Sequence, residues 1–329
     1  MIIANIFLQQ MRVDFLKAGN GDCILMQGNG HNVLIDSGEC CEELHSVINR
    51  IIESEEMIDL LVITHYDSDH IKTIVNILRN LTPEERKKLI GCVWFNATKV
   101  GFKGNELELS ANDAVELGHL LIEADINWVS ELKKGTTKEI SNECRLEVID
   151  GGAIFNNDSD GGLLSSKKSD WGVSFKELER YLDDDAQDSS PTNALSAIIV
   201  AHVNGKKILL PGDAVPCKLS EALDNYRHNE IAKFDLIKLP HHGSYKNITK
   251  DILSKIECSE YVITTDGRQF YHPNKKMMLK VIKWGRKGEG KDFTFHLNYF
   301  DELINKMNIH ESDFKTYRFS CDGKRTFEF

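Results

Sequence analysis

No stretch of this chain approaches eighteen consecutive apolar residues, which argues against a membrane-spanning helix. Met1 to Gln10 is mildly apolar but lacks a basic leader and a small-residue cleavage site, so it reads as an N-terminal extension rather than a signal peptide. Positive charge is in deficit: 40 Lys and Arg stand against 51 Asp and Glu, a net charge of −11. That disfavours a broad basic footprint on duplex nucleic acid, because phosphate binding draws on many Lys and Arg contacts. A nucleotide or short strand held at one site through metal ions stays open, since bound cations outweigh nearby carboxylates locally. The eight cysteines (Cys23, Cys40, Cys41, Cys92, Cys144, Cys217, Cys258 and Cys321) include no Cys-X-X-Cys pair. Scattered over a long chain, they read as reduced thiols in a cytoplasmic protein. No internal repeat of the solenoid kind is present.

What is present is an ordinary globular composition, 41% hydrophobic and 28% charged, in 329 residues, a length that permits one large domain or two. The first third alternates strand and helix patterns. Val13 to Leu16 and Asp22 to Met26 read as strands around Gly19-Asn20-Gly21, and Val33-Leu34-Ile35 as a short strand ending at Asp36. Leu44, Val47, Ile48, Ile51 and Ile52 repeat at helical spacing, as do Ile71, Ile74, Val75 and Leu78. Between them, Leu60 to Thr64 is an apolar strand that ends at His65. Residues 151 to about 190, with Gly151-Gly152, Gly161-Gly162, several serines and the run Asp183-Asp184-Asp185, read as an insertion: a lid over a site, or a solvated surface loop. Order returns with a hairpin, Ala197 to Val203 and Lys206 to Leu210 joined by Asn204-Gly205. Phe234 to Leu239 and Tyr261 to Thr265 are further strands, and the tail from Thr294 holds a helical stretch and a final strand pair around Asp322-Gly323.

A grammar recurs: an apolar strand, then a loop bearing His or Asp. Its densest instance is Thr64-His65-Tyr66-Asp67-Ser68-Asp69-His70, with four potential metal ligands at a strand-to-helix junction. Imidazole and carboxylate together suit zinc, manganese or iron better than calcium. Gly212-Asp213, His241-His242-Gly243-Ser244 and His272-Pro273 follow three later strands. Taken alone, Gly212-Asp213 is as well explained by a plain turn, and His272 by a loop anchored at proline. Adjacent His241 and His242 do not easily point at one metal from extended backbone.

The 65–70 segment resembles the His-X-His-X-Asp-His signature of the metallo-β-lactamase superfamily. More narrowly, the chain resembles the branch typified by the hydrolase domain of ComEC-type DNA-uptake proteins and by phosphorylcholine esterases. Phe15 to Asp22, Leu34-Ile35-Asp36-Ser37-Gly38, Leu210-Pro211-Gly212-Asp213, Lys238 to Ser244 and His272-Pro273 match that branch in order, from about residue 11 to 275. The resemblance implies an α/β fold, a four-layer αββα sandwich of two mixed sheets forming a single domain over residues 11–329. It also implies two divalent ions, Zn or Mn, held by His65, Asp67, Asp69, His70, Asp213 and His242, with Asp213 bridging and Asp69 also serving the chemistry. His241 and His272 would face the substrate, and Asn193 and Ser196 match polar positions near it. Asp22 and Asp36 would orient ligands or fix turns. Three departures stand out, one being Lys72-Thr73 where the motif is usually followed by two small residues. Asp67 replaces the second histidine, a harder ligand that favours oxygen-loving metals. No histidine is well placed before Gly212-Asp213, since His202 lies mid-strand beside a turn and reads as structural.

Two cations about 3.5–4 Å apart lower the pKa of a shared water and stabilise in-line displacement. The expected activity is therefore phosphodiester hydrolysis by a metal-bound hydroxide, with nucleotide or nucleic-acid phosphodiesters leading by resemblance. Other esters (a phosphorylcholine-type diester, a thioester or a lactam) form the second enzymatic reading. A metal-binding sensor or interaction module in a multi-protein defence system is a third, to which Asp67 lends support. Protein partners are not legible, and no membrane association is expected.

Overall fold

The computed structural model describes residues 11–96, 109–152, 169–183, 186–228, 230–287 and 292–329. The extension expected at Met1 to Gln10 and much of the insertion lie outside them. Strands β1 (Arg12–Phe15), β2 (Ile24–Gly28), β3 (His31–Ile35), β4 (Leu60–Ile63), β5 (Cys92–Phe95) and β6 (Asn127–Val129) belong to one sheet. A second sheet takes β7 (Thr137–Ser141), β8 (Cys144–Asp150), β9 (Ile198–Val203), β10 (Lys206–Leu210), β12 (Leu236–Lys238), β14 (Glu260–Ile263), β15 (Phe293–Leu297) and β16 (Phe319–Asp322). β11 (Ala232–Lys233) and β13 (Ile256–Glu257) form a separate short parallel pair. The last strand, β17 (Thr326–Glu328), returns to the first sheet, whose order is β17-β1-β2-β3-β4-β5-β6. The second sheet runs β16-β15-β14-β12-β10-β9-β8-β7. Both are mixed: β3 to β6 pair in parallel while β17 to β3 pair antiparallel, and β16 to β10 are parallel while β10 to β7 are antiparallel.

Side-chain alternation explains the layering. In β4, Leu60 and Val62 join the core between the sheets, where Ile199, Ala201, Ile208 and Val262 meet them from the opposite sheet. Leu61 and Ile63 face the other way, into the layer of α1 (Glu42–Glu53), α2 (Ser68–Arg79), α3 (Pro83–Leu89) and α4 (Leu109–Glu123). Such a strand is apolar throughout because both of its faces are covered. In β9, Ile198 and Val200 likewise face the outer layer that holds α6 (Pro216–Arg227), α7 (Lys250–Lys255) and α8 (Lys275–Trp284). The result is the expected four-layer αββα sandwich. The β9–β10 hairpin turns through Asn204 and Gly205, with φ of 47° and 76°, the left-handed pair that a two-residue turn needs.

Two segments differ from the sequence reading. β16 and β17 are both present, yet they do not pair with each other: β16 lies beside β15 and β17 beside β1. The chain crosses between sheets at 323–325 because each sheet offers an open edge there. Within the 151–190 segment, the stretch 169–183 is not a solvated loop. Trp171, Phe175, Leu178 and Leu182 are buried in the outer core, with α5 (Phe175–Leu178) against α8. Among the described residues, no helix is long and apolar enough to cross a membrane. All eight cysteines are free.

Candidate metal centre

The carboxyl ends of β3, β4, β10, β12 and β14 open at one end of the sandwich, the position where open α/β sheets commonly build sites. His65 follows β4. Asp67 is the N-cap of α2, and Asp69 and His70 lie in its first turn. Asp213 follows β10, and His241 and His242 follow β12. The first and second sheets thus each supply part of one cluster. His65, His70 and Asp213 offer ligand atoms within 4.8 Å of one another, and so do Asp69, His70 and His242.

The carboxylate of Asp213 faces both groups. Its Oδ1 lies 3.5 Å from His70 Nε2 and its Oδ2 lies 3.3 Å from His242 Nε2. Asp69 Oδ2 stands 3.2 Å from His242 Nε2. Asp67 is at the margin: its Oδ2 is 3.5 Å from His65 Nε2 and accepts a bond from Thr192 Oγ1 at 3.4 Å. It joins none of the tight donor groups.

The ring orientations are held from behind. Asp36 Oδ2 pairs with His70 Nδ1 at 2.8 Å and accepts from Thr64 Oγ1 at 2.7 Å, while Asp36 Oδ1 accepts from Thr64 N. His242 Nδ1 lies 3.0 Å from the Thr264 carbonyl and 3.3 Å from Asp22 Oδ1. Partners of this kind fix which nitrogen of a ligand histidine faces inward. The inward atoms, Nε2 of His65, His70 and His242, are buried and make no hydrogen bond. Buried polar atoms are normally paired. Three unpaired imidazole nitrogens facing two carboxylates therefore form a donor set that fits a divalent metal.

Electrostatics agree. Burial alone would lower the pKa of His70 and His242, yet Asp213 first, then Asp36 for His70 and Asp22 for His242, raise both well above the ordinary imidazole value. Burial would raise Asp213, but His242, His70, His241 and Lys238 hold it well below the carboxylate range. The same negative field attracts a cation.

Glycines and left-handed backbone shape the loops. His241 and His242 take φ of 48° and 52°, so their rings diverge, with planes 79° apart and centroids 5.9 Å apart. Adjacent histidines thereby point in different directions. Gly243 follows at φ +85°, where a Cβ would stand 2.9 Å from Pro273. At Gly21 a Cβ would stand 1.7 Å from the Asp69 carbonyl oxygen, so glycine alone lets the β1–β2 loop press on the start of α2.

His241 points its Nε2 toward Asp213 Oδ2 at 3.8 Å and is 24% exposed. Its Nδ1 meets Asp188 Oδ2 at 3.1 Å, Asn247 Oδ1 at 3.2 Å and the Asn193 amide at 3.3 Å. Asp188 also accepts from Asn193 at 2.7 Å and Asn247 at 2.9 Å. Burial would raise Asp188, but His241, Asn193 and Asn247 bring it down to about 2. His241 itself is raised, burial being outweighed by Asp213 and Asp188. His272 is buried, edge-on to His241 at 5.3 Å, with an unpaired Nδ1. Burial, then the charge of His241 and His242, pushes its pKa well below the ordinary value. Ser196 is buried and accepts the Asp213 N–H at 3.2 Å. His202 sits apart, against Glu147.

Two residues had no role assigned from the sequence. Asp188 lies in a stretch without periodicity. Lys238 is fully buried at the end of β12, its Nζ against Asp22, 3.4 Å from Asp213 Oδ1 and donating to the Gly212 carbonyl at 3.0 Å. Burial would lower its pKa, but Asp22 and Asp213 raise it. The available signal was a single charge inside the apolar run Leu236 to Leu239.

Residues 16–96 match the family model of the metallo-beta-lactamase superfamily. No curated protein matches the chain. Among solved structures, the metallo-beta-lactamase fold protein YhfI from Bacillus subtilis is 10% identical, covering 98% of this chain and 100% of that one at a TM-score of 0.50. The isothiocyanate hydrolase from Delia radicum gut bacteria is 10% identical, with coverage of 97% and 99% and a TM-score of 0.40. CmlA, a diiron beta-hydroxylase from Streptomyces venezuelae, is 13% identical, with coverage of 98% and 54% and a TM-score of 0.42. The chain has the metallo-β-lactamase fold, and its first part, residues 16–96, matches that superfamily's model.

Proposed function

We propose that this protein is a metal-dependent hydrolase acting on phosphodiesters, with nucleotide or nucleic-acid esters as the leading class. The observation that carries the reading is the trio of buried, unpaired Nε2 atoms on His65, His70 and His242, facing Asp69 and Asp213. His65, Asp69, His70, Asp213 and His242 would hold the Zn or Mn ions, with Asp67 at the margin of the set beside His65. Divalent ions in such a site supply Lewis acidity, lowering the pKa of water and offsetting charge on phosphoryl oxygens.

The remaining work belongs to the chain. His241, held at Nδ1 by Asp188, offers Nε2 to an oxygen of the reacting group. His272 packs against His241 from the rim and limits where a substrate can lie. Asn193 and Ser196 act behind these groups, through Asp188 and the Asp213 backbone. Chelator-stripped protein assayed on a chromogenic phosphodiester, with zinc and then manganese restored, tests the reading. Metal-dependent turnover is expected; no turnover with either metal counts against it.

A further inference from the structure

The loop from Asp266 to His272, on the rim beside His241, spends backbone strain on residues that it does not bury. Its ends are fixed. A Cβ at Gly267 would stand 2.6 Å from Leu303 and 2.7 Å from Trp171. Arg268 N donates to Asp266 Oδ1 at 2.9 Å. Trp171 Nε1 donates to the Pro273 carbonyl at 2.8 Å, and its ring meets Tyr271 edge-on at 5.9 Å. Between these anchors Phe270 and Tyr271 carry φ of 56° and 55°, left-handed backbone that bulky L residues avoid. Their side chains gain little burial in return, remaining 49% and 39% exposed. Conformations of this kind gather at ligand clamps, where the surrounding structure enforces them.

The exposed ring of Phe270 connects to the donor cluster through a file of aromatic contacts. Phe270 stacks on His272 with centroids 6.2 Å apart and planes 30° apart. His272 meets His241 at 5.3 Å, and His241 Nε2 is 3.8 Å from Asp213 Oδ2. Two residues before Phe270, Arg268 is 83% exposed and, among the described residues, pairs with Asp266 at 3.4 Å. Water screens such a pair and leaves the guanidinium available.

We infer that Phe270 is the base-stacking subsite of this enzyme, on which a nucleobase of the substrate lies while Arg268 meets an adjacent phosphate. The inference rests on the phosphodiesterase reading and narrows it. An aromatic face takes either a planar base or a quaternary ammonium. The cation at Arg268 repels the second and attracts the anionic backbone that accompanies the first. Stacking on one ring is tolerant of base identity, so little sequence preference is expected.

The test compares kcat/KM of the metal-loaded protein on the p-nitrophenyl ester of thymidine monophosphate and on methyl p-nitrophenyl phosphate, which share a leaving group. The nucleotide ester should be favoured about tenfold or more. Phe270→Ala should abolish most of that preference, and Phe270→Trp should keep it. Equal rates for the two esters in the wild type, equal losses on both in Phe270→Ala, or a preference for p-nitrophenyl phosphorylcholine would overturn the inference while leaving a hydrolase in place. Turnover of neither ester would count against the phosphodiesterase reading instead. The subsite is then read by saturation-transfer NMR with thymidine monophosphate: saturation of the thymine protons that disappears in Phe270→Ala supports it, and no saturation of those protons sinks it.

Discussion

Asp188 Oδ2 stands 3.1 Å from His241 Nδ1, across a separation of 53 residues, and the same oxygen takes the amides of Asn193 and Asn247. The imidazole is thereby fixed with its other nitrogen toward the cluster. Asp188→Asn keeps the shape and removes the charge. A charge-assisted hydrogen bond contributes about 1.5–3 kcal/mol, so kcat should fall roughly 10- to 100-fold. Steady-state kinetics with a parallel melting curve check this. Undiminished kcat would remove Asp188 and His241 from the reaction.

Asp36 is the rear support of His70, through a 2.8 Å contact, and it also ties down Thr64. Asp36→Asn should weaken metal binding about 10- to 100-fold, the usual effect of losing such a partner. Titration against a chromophoric chelator measures it without any assay of turnover.

Metal binding should raise thermal stability, because an ion that binds only the folded state stabilises it by about 2.7 kcal/mol at a hundredfold excess over Kd. Adding Zn or Mn to stripped wild-type protein should raise Tm. In His242→Ala, which removes one of the unpaired Nε2 atoms, most of the rise should vanish. Differential scanning calorimetry distinguishes the two.

The pH dependence of stability should carry a signature from a histidine outside the cluster. His296 lies between Glu260 Oε2 at 2.9 Å and Asp322 Oδ1 at 2.6 Å. Burial would lower its pKa, yet the two carboxylates raise it above the ordinary value. A raised imidazole pKa adds stability that is complete below the unfolded pKa, near 6.5, and is lost as pH climbs through the folded one. Urea denaturation of wild type and His296→Gln should show a gap that is widest below the ordinary imidazole pKa and narrows as pH rises above it. A gap that widens with pH would reverse the assignment.

Gly21→Ala should destabilise the protein by about 1–3 kcal/mol, the range for forced overpacking. The added carbon has nowhere to go, since the Asp69 carbonyl oxygen occupies its place. Chemical denaturation measures the loss, and weaker metal binding should accompany it because Asp69 must shift.

The strand ends that carry the clustered histidines and aspartates were legible because each follows a short apolar run, and a charged or imidazole side chain after such a run is locally conspicuous. Leu60 to Thr64 ending in His65 is the clearest case. The layer architecture came through the family resemblance, and alternation within β4 and β9 supplies its physical reason. Lys238 and Asp188 stayed hidden because their roles depend on partners that only the fold brings near: Asp22 for one, His241 for the other. The tail misled for the same reason. β16 and β17 are near neighbours in the chain, and proximity suggests a hairpin, whereas the free edges that recruit them belong to different sheets.

His65 and His70 hang from one slab of the sandwich and Asp213 and His242 from the other. Their separation therefore gauges how the slabs are aligned. A slip of about 1 Å between the layers, enough to cost two orders of magnitude in rate when reacting groups are displaced, would leave every strand intact. Substitutions in the interlayer core, at Trp94 or Ile199, should consequently be felt as a mistuned centre before they are seen as lost secondary structure.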